Sequence, residues 1–376
     1  MTTRVGVALT RNGVDEAVHQ AMAMADCDGC IGLAAKVLVK PNLHGGDGFT
    51  SMEVIKAVVH WASRMGASQI VVGDGPYYGM DDAFPYFERI GLVRLCDEMK
   101  VSLVSFHDSD YDEIVPNLEA LPQTLGITKW VRWADAVVSV PVMKTHFNTL
   151  TTLAMKNLKG FLRPRDKRDL HSRDLHLALA AIGWLVRPTV NIIDGFVAYE
   201  GMGPSNATPV DMGVVVASQS TFHADVVANW LMGFDPATVR YLREAEKLGC
   251  GTLPRSDDDV AALTGCSLRH LQRLRRQFQH PYEAAERAYP NLRISAELAC
   301  SGCLMNLFTA LRDLAGEGLA ERLTGTVAIG KAPEAVDLAL GNCTCACWGD
   351  TEHLVGCPPL IPQIAEALRK LAQNPA

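Results

Sequence analysis

Short apolar runs alternate with helical stretches from Val5 to Ala217, and no other feature of the chain narrows its fold as much. Candidate strands are Val5–Leu9, Val37–Lys40, Ile70–Gly73, Leu103–Phe106, Ala136–Val140, Val190–Asp194 and Gly213–Ala217. Between them, Val14–Met24, Met52–Ala67, Tyr86–Met99 and Leu175–Val186 carry apolar residues at helical spacing. Strands alternating with helices of this length build βαβ units, so the pattern predicts an α/β fold with a mainly parallel sheet and flanking helices. At 376 residues the chain is long enough for a second, smaller domain with its own core.

Parallel sheets gather ligands at the carboxyl ends of their strands. Several of the candidate strands run straight into polar residues there: Lys40 and Asn42, Asp74, Lys144 and His146, and Asp194. Asn, Asp and Gly also end strands through ordinary turn chemistry, and Asp74-Gly75 is assigned to that. Lys144 and His146 are assigned to a site. The segment from Lys144 to His171 holds seven basic residues, including Lys156, Lys159 and Lys167, with no acid before Asp166. Ammonium groups and hydroxyls in that number suit a carboxylate or phosphate ligand. No GxxxxGK[ST] loop is present, and no GxGxxG opens a helix after the first strand. The glycine- and proline-rich stretch from Ala198 to Gly213, with Glu200 as its acid, reads as a substrate-facing loop. Asp225 lies within the apolar pattern of a helix and is either a cleft residue or a helix cap.

Six of the eleven cysteines fall between Cys300 and Cys357. Cys300 and Cys303 sit at i and i+3 of a helical pattern, so both thiols face one side. Cys343 and Cys357 follow a candidate strand at Thr324–Gly330 and are expected on loops, with Pro358 directly after the last thiol. Four thiolates arranged in this way suit a 4Fe-4S cluster. A structural zinc site is the other metal reading, and Cys345 and Cys347 exceed the four ligands needed. Cys27 and Cys30 form an isolated CxxC. The N-terminus enters a strand without the apolar core of a signal peptide, and the longest apolar runs fall short of a membrane span. A cytoplasmic location follows, where clustered cysteines mean metal or redox chemistry rather than disulfides. The net charge of −7 argues against a nucleic-acid partner, and oligomeric state is not legible.

The cysteine set resembles the proximal cluster site of nickel–iron hydrogenase small subunits. There a paired-cysteine segment is followed by Gly-x-Cys and then Gly-Cys-Pro-Pro, matched here by Gly341-Asn342-Cys343 and Gly356-Cys357-Pro358-Pro359. The blocks VLVKPNL, ADAVVSVPVMKTHFNTLTTLAMKNLKGF, DKRDLH, NIIDGFVAYEGMGP and DVVANWLMGFDP resemble domain of unknown function family 362 from Val5 to Gly251. That resemblance implies the α/β fold and agrees with an iron–sulfur member. A more distant likeness is to lactate racemases, which hold a nickel pincer cofactor on a lysine. Here His146 precedes Lys156 by ten residues and His171 follows it by fifteen, but Leu153-Ala154-Met155 replaces that family's glycine-rich lead-in.

The expected organisation is an α/β substrate domain over residues 1–252, a helical connector over 253–290 and a smaller α/β iron–sulfur domain over 291–376. The expected function is a cytoplasmic oxidoreductase for a small anionic substrate, served by an electron-donor protein. Lys40, Asn42, Lys144, Asp194 and Glu200 would bind substrate, with His146, Lys156 and His171 catalytic. Cys300, Cys303, Cys343 and Cys357 would hold the cluster. An electron carrier or redox sensor, and a racemase- or lyase-type enzyme with a structural or Lewis-acid cluster, are the alternatives.

Overall fold

The computed structural model describes residues 3–43, 48–76, 80–118, 120–171, 173–204, 206–296, 299, 301–331, 336–347 and 352–373. Its main sheet has nine strands. Seven run in the order Val5–Leu9, Asn206–Ser218, Val190–Met202, Ala136–Val140, Lys36–Pro41, Gln69–Asp74 and Ser102–Ser105. Val142–His146 pairs parallel with the middle of Val190–Met202, and Leu150–Thr152 folds back antiparallel on it. The pairings from Val190–Met202 out to Ser102–Ser105 are all parallel, while Val5–Leu9 and Asn206–Ser218 add antiparallel ladders at the other side. The expected α/β fold with a mainly parallel sheet is the fold observed.

Strand alternation sorts the apolar residues onto two faces. Val37 and Val39 join Val72, Val138 and Ile192 under the helices Val14–Met24 and Met52–Arg64. Leu38, Val71 and Val137 face the other way, against Phe161, Leu158 and the helix Leu175–Leu185. Each central strand is therefore buried on both sides, as a parallel sheet requires.

Two boundaries differ from the sequence pattern, for backbone reasons. The expected helix over Tyr86–Met99 is two helices, Phe84–Arg89 and Leu92–Met99, because Gly91 takes φ +82° between them. The expected loop from Ala198 to Gly213 is largely sheet. Val190–Met202 and Asn206–Ser218 form a long antiparallel hairpin, with a register shift between Gly195 and Val197. Pro209 is tolerated because the neighbouring strand Val5–Leu9 pairs only with Val214–Ser218, leaving Pro209 on a free edge.

Three helices, Asp257–Thr264, Leu268–Leu274 and Pro281–Ala288, fill the region expected to be helical. Beyond them a four-stranded parallel sheet, in the order Leu292–Ser295, Gly325–Ile329, Leu338–Leu340 and His353–Leu354, carries its own core. Leu304, Leu307, Leu311 and Leu314 of the helix Ser301–Gly316 pack there with Val327, Ile329, Leu340 and Leu368. Phe147 reaches this core from the main sheet and stacks on Phe308, with ring centroids 5.2 Å apart.

Among the described residues no helix is long and apolar enough to cross a membrane. The first strand depends on a glycine where it meets the first helix: a Cβ on Gly6 would lie 1.9 Å from the Ala21 carbonyl oxygen. Gly6→Ala is therefore expected to cost at least about 2 kcal/mol. Urea denaturation checks this, and an unchanged midpoint with unchanged slope would refute the packing described.

Candidate functional site

The carboxyl ends of three adjacent parallel strands converge on one charge pair. Lys40, near the end of Lys36–Pro41, places its Nζ 2.7 Å from Oδ1 of Asp74, the last residue of the next strand. Both side chains are buried. Lys40 also donates to the Pro41 carbonyl at 2.9 Å and to Asn157 Oδ1 at 2.8 Å. Asn157 in turn donates to Ser139 Oγ on the third strand, at 2.9 Å. Asp74 accepts from the backbone N–H groups of Leu43 and Gly75, both at 2.8 Å. Asp74 therefore does more than end its strand. It fixes the two loops that leave the sheet here.

Around this pair lies a cavity of about 500 Å³ counting its mouth, lined by Lys40, Lys144, Lys156, Lys159 and Lys167, with Asp74 as the one acid among the described residues. Asn42, Thr152, Asn157, Gly160 and Pro204 complete most of the wall. Lys144 donates to the Gly48 carbonyl at 2.7 Å, and Lys167 to the Gly75 carbonyl at 2.6 Å. Lys159 Nζ is hydrogen-bonded to His171 Nε2.

Burial in apolar surroundings disfavours the charged amines, and their mutual repulsion adds to it. Burial, helped by Lys156, brings Lys144 down to about 7, against an opposing pull from Asp74. Burial alone brings Lys156 down to about 8. Lys167 falls to about 7 through burial. Lys159 falls well below its ordinary value through burial and the charges of Lys156 and Lys167. Its partner His171 is held at about 2 by burial, then by Lys159 and Lys156, so it stays neutral across the physiological range.

The backbone bearing these amines is held by an acid outside the cavity. Asp225, on the helix Thr221–Leu231, accepts from the N–H groups of Ala154 at 2.6 Å and Met155 at 3.0 Å. Those are the first residues of the short helix Ala154–Asn157, which carries Lys156 and Asn157. Tyr241 donates to the same carboxylate at 3.2 Å. Asp225 is neither a wall residue of the cavity nor a terminal residue of its own helix, which Ser220 caps; it caps the start of a different helix. Burial raises its pKa to about 7 against the pull of these donors.

Lys40, Asn42, Lys144 and Lys156 thus meet as the sequence suggested, and His171 stands behind Lys159. Other expected members are placed elsewhere. Asp194 accepts from Ser51 N and Oγ, each at 2.7 Å, and from Phe196 N at 2.9 Å, which ties it to the start of Met52–Arg64. Glu200 accepts from Gln279 N at 2.9 Å. His146 Nδ1 accepts from Asn148 N at 3.1 Å, turning the ring into its own loop, and His146 is not part of the cavity wall. The sequence offers Lys159 and Lys167 only as members of the basic segment and does not single out Thr152. The available signal was the density of lysines without acids, which does not tell a buried amine from a solvated one.

A second, larger cavity of about 1290 Å³ counting its mouth brings together Cys303, Cys343 and Cys357. Cys303 sits in the first turn of Ser301–Gly316, and Cys343 in the one-turn helix Asn342–Cys345 rather than in a loop. Cys300 lies outside the described residues. Gly341 takes φ +90°, and a Cβ there would fall 2.8 Å from the Cys303 sulfur, so only glycine lets the Cys343 segment pass so close. Cys345 points to the Leu354 carbonyl at 3.7 Å and Cys347 to the Lys331 carbonyl at 3.4 Å, and neither lines this cavity. Among the described residues no three His, Cys, Asp or Glu side chains converge on a single-ion site.

Fold and site together define an α/β protein with a buried, lysine-lined cavity at the carboxyl ends of its parallel strands. The chain belongs to the family described as Domain of unknown function (DUF362), which matches residues 37–229 and so spans every residue of the lysine cavity. It is similar to a thylakoid-associated protein of Synechocystis sp., with 28% identity over 225 residues covering 57% of this chain and 68% of that one. Among solved structures, the lactate racemase apoprotein of Thermoanaerobacterium thermosaccharolyticum aligns over 90% of this chain and 71% of its own, at 11% identity and a TM-score of 0.44. A Thermotoga maritima protein aligns over 64% of this chain at 12% identity and a TM-score of 0.32, and this chain spans 57% of it.

The depressed lysines fix a pH dependence. In the unfolded chain these amines keep their protons up to about pH 10, whereas in the fold Lys144, Lys156 and Lys167 lose them from about 7 or 8. The unfolded state then binds more protons, so stability of the ligand-free protein rises with pH. Between pH 7 and 9 the rise should be about 1 kcal/mol or more per pH unit. Chemical denaturation at fixed ionic strength measures it, and a flat or falling profile would show that the lysines are solvated.

Proposed function

We propose that the chain is a cytoplasmic iron–sulfur enzyme, an oxidoreductase that acts on a small anionic substrate in the lysine cavity. The observation that carries this reading is the imbalance, among the described residues, of five buried amines against one carboxylate in a cavity at the strand ends. Buried amines without counter-charges are costly, and a bound anion is the simplest group that offsets them. An electron carrier without chemistry of its own gives these lysines no task, so the cavity favours an enzyme.

Lys144 and Lys156 would take the substrate's negative charge, and Lys40 would stay committed to Asp74. The Lys159–His171 pair would accept or return a proton. His171 itself stays neutral and does not serve as a strong acid. Cys303, Cys343 and Cys357, which share one cavity, would hold a 4Fe-4S cluster together with Cys300. The close passage of Gly341 over the Cys303 sulfur fits thiols gathered for one group. Such a cluster supplies one-electron transfer, fed by an electron-donor protein.

Anaerobic purification should yield about four irons and about four sulfides per chain. Cys303→Ser and Cys343→Ser should lose them, whereas Cys345→Ser should keep them. One zinc per chain, or loss confined to Cys345→Ser, overturns the ligand set. A separate measurement tests the cavity. Anion binding raises the lysine pKa values again, so oxalate binding at pH 8 should take up protons. Calorimetry in buffers of different ionisation enthalpy reads that uptake, and no binding or no uptake would remove the anionic-substrate reading.

A further inference from the structure

Four of the five cavity amines are already committed. Lys40 is paired with Asp74, Lys144 and Lys167 are bonded to backbone carbonyls, and Lys159 is bonded to His171. Lys156 alone among them, within the described residues, has neither a hydrogen bond nor an ion pair, although it is only 8% exposed and lines the same cavity. A second group there is equally uncommitted: Thr152 Oγ1 is buried with no hydrogen-bond partner. A buried hydroxyl left unpaired costs free energy unless a ligand meets it.

We propose that Lys156 is a nucleophile that forms an imine with the carbonyl carbon of a small 2-oxo carboxylate, while Thr152 bonds the carbonyl oxygen and neighbouring lysines hold the carboxylate. The inference rests on the anionic-substrate reading, names the class of substrate, and moves Lys156 from holding the negative charge, which stays with Lys144, to attacking the carbonyl. A lysine needed only for its charge would sit beside an acceptor, as the other four do. A buried amine with no acceptor beside it is instead poised to shed its proton and attack. Burial sets Lys156 at about 8, so about a tenth is free amine at pH 7 and about half at pH 8.

The step balances without an oxidant. The Lys156 lone pair adds to the carbonyl carbon, and the C=O π electrons move to oxygen, which takes up a proton. The nitrogen gives up a proton, for which the Lys159–His171 pair is the nearby base. Loss of the hydroxyl as water then leaves the C=N bond, so amine plus carbonyl becomes imine plus water.

The test uses the full chain with pyruvate as probe and borohydride as trap, followed by peptide mass mapping. The expected result is a reduced adduct on Lys156, lowered at least about tenfold in Lys156→Arg, which keeps the charge but not the nucleophile. Excess oxalate, an anion without a ketone, should suppress labelling of the unaltered protein to a similar degree, and this arm needs no variant to fold. Oxalate binding without any Lys156 adduct, or labelling spread equally over surface lysines, overturns the nucleophile while leaving the anion site standing. Failure of oxalate to bind at all overturns the anion site itself, and this inference with it.

Discussion

The Lys40–Asp74 pair is the contact on which the rest of the site depends. Moving two such charges out of water costs several kcal/mol for each, and the pair survives only where its remaining hydrogen-bonding capacity is met. Here it is met in full view of the fold: Asn157 Oδ1 and the Pro41 carbonyl serve the amine, and the N–H groups of Leu43 and Gly75 serve the carboxylate. The pair therefore ties two strand ends, two exit loops and the short helix Ala154–Asn157 to one point. It also dictates residue 160, because a Cβ there would meet Lys40 Cε at 2.4 Å and Asp74 Oδ1 at 2.6 Å. Loss of either charge would strand the other in the interior, a change on the order of 3–5 kcal/mol.

The other amines do not add to stability in this way. Lys144, Lys156 and Lys167 are buried at the cost of part of their protonation, and Lys159 gives up more. A chain selected for core packing alone would place leucine or methionine at such positions. Local choices that oppose the stability of the fold concentrate at functional sites. Asp225 shows the compensation directly: a buried carboxylate is retained to secure the backbone N–H groups of the helix that presents Lys156.

Much of the frame was legible because its signal is local. Val5–Leu9, Ala136–Val140 and Val14–Met24 have the bounds their apolar spacing implies, since each packs as period and burial demand. The hairpin through Ala198–Gly213 was not legible, because its glycines and Pro209 look like loop and a register shift between Gly195 and Val197 interrupts its pairing. The same limit applies to the site. Lys40 and Lys144 announce themselves by standing at strand exits, but Lys159 and Lys167 lie in a basic stretch whose burial is decided by strands far away in sequence. Asp194 and Glu200 show the reverse error. Asp194, read at a strand exit, and Glu200, read in a loop, both lie within the strand Val190–Met202 and are taken up by a helix start and a neighbouring segment, which only the partners reveal.

A single stretch of chain connects the two cavities. Residues between Lys144 and Lys167 give the lysine cavity most of its amines, while Asn148 and then Arg173 to His176 border the cavity lined by cysteines. Phe147 lies between these duties. It stacks on Phe308 in the core of the second sheet, and its backbone N–H donates to the Gly203 carbonyl at 3.1 Å, beside the cavity-lining Pro204. Packed cores resist small displacements and hand them on. The position of Lys144, three residues before Phe147, is therefore set partly by how the C-terminal core packs. The cavity lined by cysteines is then anchored to the backbone that carries the lysines, and the helix beginning at Ser301 is as much a support of the lysine cavity as the strands that open into it.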